Sequence, residues 1–329
     1  MFGNNFNGQL GTGDTSVLTF VTKDIKYVSC GVKYTGVIII DNKLLLFGNN
    51  GYGQLGTGDT SKRSILTHVM NDIKYVSCGG LHTGVITIDN KLFMFGSNDD
   101  GQLGARDIQN KSMPTNVMNG IKHISCGGSH TGVITTDNKL FMFGGNGRGQ
   151  LGIRDTQNRS IPINVMNDIK YVSCGNDHTG VITKDNKLFM FGCNYYGQLG
   201  TGDTSERLVP TNVMNDIKYV SCGSSHTGVI TTDNKLFMFG YNYFGQLGIG
   251  DEIRRLAQPT EIKSDIRYIS CGNCHTGVIT TDNKLLMFGD NRFEQLGTGD
   301  TQDRSIPTNI MIDVRYVSCG GWHTGIISS

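Results

Sequence analysis

Cys271-Gly272-Asn273-Cys274-His275 has the Cys-x-x-Cys-His spacing by which two thiols capture a haem and the next histidine ligates its iron. The rest of the chain argues against that chemistry. Ser-Cys-Gly recurs with cysteines at 30, 78, 126, 174, 222, 271 and 319, and a histidine precedes Thr-Gly at 82, 130, 178, 226, 275 and 323, with Tyr34 in the first copy. Cys271 and His275 therefore fill positions met throughout, and only Cys274 is new. Each repeated cysteine stands alone, without the paired spacing of a zinc site. As a small buried hydrophobe, cysteine suits an inner strand near a crowded axis. A catalytic base is needed once, in one special environment. Six equivalent histidines point instead to hydrogen-bonding struts that hold a turn.

A basic residue also recurs four positions after each Gly-x-Gly-Asp aspartate or its counterpart, as Arg63, Lys111, Arg159, Arg207, Arg255 and Arg304. A ring of guanidinium groups could meet phosphates. Pairing with a nearby aspartate such as Asp59 or Asp203 is the more ordinary use. No phosphate loop, His-Glu-x-x-His or Gly-x-Ser-x-Gly pattern occurs. No catalytic residue, metal or cofactor is expected.

What must position these residues is a repeat. Gln-Leu-Gly recurs at Gln9, Gln54, Gln102, Gln150, Gln198, Gln246 and Gln295, and the cysteine spacing is 48 residues with one step of 49. Seven copies fill residues 1–329, so a single domain is expected. In the second copy Ile73–Cys78 reads as strand A, His82–Thr87 as B and Lys91–Phe95 as C, with Asp89-Asn90 as hairpin chemistry between B and C. A Gly-rich stretch from Gly48 to Asp59 leads to a strand D near Ile65–Met70. Four short strands per unit, without helical periodicity, predict an all-β seven-bladed propeller with four-stranded blades. Ser329 aligns with Ile88 and Met1 with Met94, so the C-terminal segment should supply A and B of a shared closing blade, and the N-terminal segment C and D. That blade should fray first.

The pattern Phe-Gly-x-Asn-x-x-Gly-Gln-Leu-Gly-x-Gly-Asp, then Pro and Val, then Ser-Cys-Gly-x-x-His-Thr, resembles the regulator of chromosome condensation repeat over the whole chain. The resemblance implies a seven-bladed propeller. It also offers, as an alternative function, guanine-nucleotide exchange on a Ran-like small GTPase. In that family acidic and histidine residues at the A–B turn contribute to exchange, and Gly175-Asn176-Asp177-His178 matches best, which implies roles for Asp177 and His178. Two family parts are not seen. Repeat lengths leave no room for an inserted β-wedge, and no basic N-terminal tail precedes the first strand.

The family hosts many functions, so fold does not choose among them. Copies differ from one another mainly on the face formed by the A–B and C–D loops. Before the repeated His/Tyr stand Lys33, Leu81, Ser129, Asp177, Ser225, Cys274 and Trp322; the C–D loops carry Phe6, Tyr52, Asp99-Asp100, Arg148, Tyr195-Tyr196, Tyr243-Phe244 and Arg292-Phe293. Aromatic and Arg side chains supply most interface energy. The expected partner-binding face is therefore Trp322, Asp177, His178, Leu81, Lys33, Tyr52, Arg148, Tyr195, Tyr196, Tyr243, Phe244, Arg292 and Phe293. The expectation is a non-catalytic, monomeric interaction scaffold that binds a protein, a small GTPase among the candidates. Net charge +1 and the missing basic tail argue against nucleic acid, and no apolar run is long enough to span a membrane. Nine cysteines without a secretory signal point to a reducing compartment, cytosol or nucleus.

Overall fold

The structure, a computed structural model, describes residues 1–12, 24–250 and 252–328. Its strands run from β1 (Phe2–Gly3) through β2 (Ile25–Cys30), β3 (Tyr34–Ile39), β4 (Leu44–Gly48) and β5 (Arg63–Met70) to β26 (Val314–Cys319) and β27 (His323–Ser328), with no helix among the described residues. β2 to β5 are strands A to D of blade 1, paired in sequence order and antiparallel. Five more blades repeat that order, beginning at Ile73, Ile121, Ile169, Ile217 and Ile266. The A strands pack against one another around the axis, and blade 1 packs against β26 and β27. The result is the expected seven-bladed β-propeller.

The closing blade is shared as the repeat predicts. β1 pairs with β27, Phe2 opposite Thr324 and Gly3 opposite His323, and β27 pairs with β26. The D strand expected there from the N-terminal segment falls in 13–23, outside the described residues.

Local chemistry explains the turns. Asn42, Asn90, Asn138, Asn186, Asn234 and Asn283 of the B–C hairpins all have φ between +60° and +68°. Asparagine tolerates that left-handed region better than other non-Gly residues, which is why it sits there.

Between blades, the inner strands A, B and C supply a largely apolar packing. In blades 3 and 4, Ile134, Leu140, Met142, Leu151, Ile169, Val172, Val181 and Phe191 form one fully buried cluster, and similar clusters fill the other gaps. Gly132 in strand B belongs to this packing. A Cβ there would lie 2.9 Å from Val172 Cγ2, 3.0 Å from Met142 Sδ and 3.3 Å from Cys174 Sγ, so glycine makes room for the next blade's cysteine.

Polar links then join blade to blade. Each cysteine N–H donates to the serine Oγ of the preceding blade at 2.9 Å, as in Cys78 to Ser29 and, across the seam, Cys30 to Ser318. Inside these runs a circle of backbone bonds, Val32 N to Gly79 O through to Gly321 N to Gly31 O, surrounds the axis. A third ring, unexpected from the sequence, is aromatic. Tyr27, Tyr75, His123, Tyr171, Tyr219, Tyr268 and Tyr316 stand side by side with centroids 4.6–5.5 Å apart. Their hydroxyls bond across four of the gaps at 2.8–3.2 Å.

Candidate partner-binding face

The repeated histidines are struts, but they cross between blades rather than holding their own A–B turn. His178 Nε2 lies 2.9 Å from Thr227 Oγ1 of the next blade, and Thr227 Oγ1 donates to the Gln198 carbonyl at 2.8 Å. With its only hydrogen spent on that carbonyl, the threonine must accept, so Nε2–H donates; Nδ1 is buried without a partner, which disfavours a second proton there. The same pair recurs at every blade junction that has a histidine, including His323 with Thr35 across the seam at 2.8 Å. Burial pulls the His178, His130, His226 and His323 pKa values down to about 3, and those of His82 and His275 to about 4. In blade 1 Tyr34 fills the histidine's place beside Thr83: its hydroxyl donates to His82 O at 2.5 Å and accepts from Gly79 N at 3.1 Å. The Ser-Cys-Gly glycine clears space for the ring. At Gly175 a Cβ would stand 2.5 Å from both His178 Cε1 and the Gly223 carbonyl.

This corrects one expected site residue. His178 is fully buried and committed to Thr227, so it does not reach the face. Asp177, beside it, does. It is half-buried, its carboxyl is pushed up chiefly by burial, and Asn176 Nδ2 donates to it at 2.5 Å. The haem-like spacing dissolves for the same reason. His275 bonds Thr324, Cys271 is buried, and burial and Asp290 push the half-buried Cys274 thiol up to about 11.

Loop tips on this face are held from below. In blade 4 buried Asn194 accepts from Leu199 N and donates to the Asp203 carbonyl, while buried Gln198 accepts from Tyr196 N. The C–D loops of blades 1, 2, 3 and 6 repeat the arrangement, in which the second tip residue gives its backbone N–H to the glutamine. The A–B loop is tied to it through backbone bonds such as Cys193 N to Asp177 O and Asn4 N to Trp322 O.

The variable positions of blades 4 to 7 converge. Tyr195 meets Tyr196 edge-on at 4.8 Å, Tyr196 meets Tyr241 at 4.6 Å, and Tyr241 lies parallel to Tyr243 at 6.3 Å. Phe244 stands edge-on to both Tyr241 and Tyr243. Arg292 stacks over Phe244 at 4.6 Å and Arg254 over Tyr243 at 4.6 Å. Phe293 contacts Phe6 and Trp322, and Lys33 lies 5.8 Å over the Trp322 ring. Phe6, Tyr195 and Tyr243 are the most exposed of these rings, at 76%, 67% and 56%.

Arg292 is fixed in this arc by fully buried Asp290, which accepts from Nε at 2.9 Å and from Nη2 at 3.0 Å. A carboxylate tolerates such burial only when both oxygens are matched, and the guanidinium fork does that. Tyr241, Arg254, Asp290 and Phe6 were not among the expected site residues. Tyr241 and Asp290 share one position, directly after Phe-Gly, where the other copies carry Asn, Ser, Gly or Cys; that variation was a visible signal.

The remaining expected residues stand apart from the arc. Tyr52, Leu81, Arg148 and Asp177 lie on blades 1 to 4, and Arg148 is paired with Glu206 at 3.0 Å. The basic ring is likewise spent on aspartates. Arg63, Arg159, Arg207 and Arg304 reach Asp59, Asp155, Asp203 and Asp300 at 2.6 Å, and Lys111 reaches Asp107 at 2.8 Å. The equivalent of Asp59 beside Arg255 is residue 251, outside the described residues.

Comparison with known proteins agrees with the fold. No curated protein matches the sequence. Among solved structures, human WBSCR16 is similar with TM-score 0.86 and 22% identity, covering 95% of this chain and 88% of that one. Prp20p of Saccharomyces cerevisiae, described with its binding to Gsp1p and histones, is similar with TM-score 0.89 and 19% identity, covering 100% of this chain and 91% of its own. Identities this low establish a shared fold and no more. The model of the RCC1-like domain matches residues 62–329. With the sevenfold repeat and the closed ring, that match makes the chain a member of the RCC1-like domain family.

Proposed function

We propose that the chain is a non-catalytic interaction propeller that captures a protein partner on the face bearing the aromatic arc. The observation that carries this reading is the arc itself. Seven copies of one repeat produce a linked group of Tyr, Phe, Trp and Arg side chains over four adjacent blades, on tips that the scaffold holds. Rigid aromatic anchors around stacked Arg are the composition of interface hot spots. The loops stand on a rigid scaffold, where recognition usually sits. Nine free cysteines fit work in a reducing compartment, the cytosol or nucleus.

The exchange-factor alternative has less support. His178, the residue the family resemblance implicates, is withdrawn into a strut present at six junctions. A labelled-nucleotide release assay with a panel of small GTPases separates the readings. Stoichiometric binding without release is expected. Accelerated release at catalytic concentrations would overturn the scaffold reading. In parallel, Trp322, Tyr196 and Tyr243 changed together to Ala should abolish partner capture and leave the melting curve in place.

A further inference from the structure

Resting on that reading, we infer that the arc's partner presents an acidic segment interspersed with apolar side chains. Three rings of the arc carry a cation on one face. Arg254 covers Tyr243, Arg292 covers Phe244, and Lys33 lies over Trp322. Neighbouring rings take up other faces and edges through the edge-on contacts. At those three rings a partner cation meets a face that already holds a cation, and like charge opposes it.

Beside its exposed rings, the arc shows solvent the outer rims of its cations. Arg254 is exposed, and Arg292 keeps 56% of its side chain in solvent. Asp290 holds Arg292 through Nε and Nη2, leaving the Nη1 rim of a rigid fork pointing away from the clamp. Such a fork loses little freedom on meeting a carboxylate. Of the acidic groups nearby, Asp290 is buried and matched by Arg292, and the Asp303 carboxylate accepts from Asn291 N at 2.8 Å, while Asp303 and Glu252 are exposed. Carboxylates thus complement the cationic rims, and apolar side chains complement Tyr195, Tyr243, Phe6 and Phe293. Single-stranded nucleic acid, the other polyanion, needs free ring faces for its bases to stack, and three of the faces here already hold cations.

The test uses fluorescence anisotropy on the full chain with three short, labelled, tryptophan-containing peptides whose remaining residues are glutamate, glutamine or lysine, beside a labelled oligothymidylate. The glutamate peptide should bind about tenfold or more tighter than the glutamine one, and added salt should erase that margin. Lys33→Glu with Arg254→Glu leaves the Asp290–Arg292 clamp intact, and should reverse the order in favour of the lysine peptide. The inference is overturned by equal binding of the glutamine or lysine peptide, tighter binding of the oligothymidylate, absence of binding by every probe, or indifference of the glutamate peptide to the double reversal. Charge-blind peptide binding that is lost in the Trp322, Tyr196, Tyr243 triple variant would remove this inference and leave the face assignment standing.

Discussion

The two faces of the ring come from the same seven repeats and differ in what varies between copies. On the B–C side six hairpins carry one ion pair, from Lys43–Asp41 at 2.6 Å and Lys91–Asp89 at 2.9 Å round to Lys284–Asp282 at 2.9 Å. On the A–B and C–D side no two blades present the same tip, and blades 4 to 7 alone build the aromatic arc. The C–D tips that change are those whose loop is held for them by buried Asn and Gln. The B–C side departs from uniformity at three exposed isoleucines, Ile40, Ile88 and Ile312, which replace polar residues of other copies.

The largest expected effect breaks the shared scaffold rather than either face. His82, His123, His130, His178, His226, His275 and His323 all have folded pKa values of about 3 to 4, depressed first by burial. The unfolded chain holds those protons from about pH 6.5 downward. Between these limits the unfolded state binds more protons, so stability is complete above about pH 6.5 and is lost as pH falls. Each such histidine contributes up to about 1.4 kcal/mol per pH unit, and the whole set about 10. Circular dichroism melts taken downward in pH should show cooperative unfolding between about pH 6 and 4. A melting temperature flat across that range would contradict the neutral struts.

A smaller effect sharpens the contrast within one dipeptide. His178→Ala removes a buried ring and strands Thr227, costing about 2–4 kcal/mol in urea unfolding. Asp177→Ala, one residue away at the surface, should change stability by less than about 0.5 kcal/mol. Next comes the seam. β1 has only two residues paired with β27, so hydrogen exchange should reach their amides before those of any strand B between blades 1 and 6. Smallest of all, Arg207→Ala removes an ion pair to a carboxylate nearly half exposed to solvent, and should cost well under about 1 kcal/mol.

Much of the fold was legible because the repeat supplied its own comparison. Strands A and B of the second copy, Ile73–Cys78 and His82–Thr87, were bounded as found, and the sharing of the last blade followed from aligning Met1 with Met94. The struts were half legible. Their number showed that they were structural, but the partner of each lies 49 or so residues away in the next blade, and local patterning cannot reach across that gap. The tyrosine ring was missed for the same reason, since one tyrosine per strand says nothing of six neighbours around an axis. In the arc, Tyr196, Tyr243, Phe244, Arg292, Phe293 and Trp322 stood out by type and position. Tyr241 and Asp290 looked like strand ends, and only three-dimensional contact shows the first bridging two loops and the second fixing Arg292.

The central claim, that one repeat separates scaffold from recognition, is tested most directly by a matched scan of a single position. Lys33, Leu81, Ser129, Asp177, Ser225 and Trp322 occupy the same A–B site in six blades. Each changed singly to Ala, and scored for capture of the partner identified by affinity purification, should leave melting unaltered. Capture should fall sharply for Trp322, weakly for Lys33 and not at all for the other four. An even loss across all six blades, or loss confined to Leu81 and Asp177, would contradict the account.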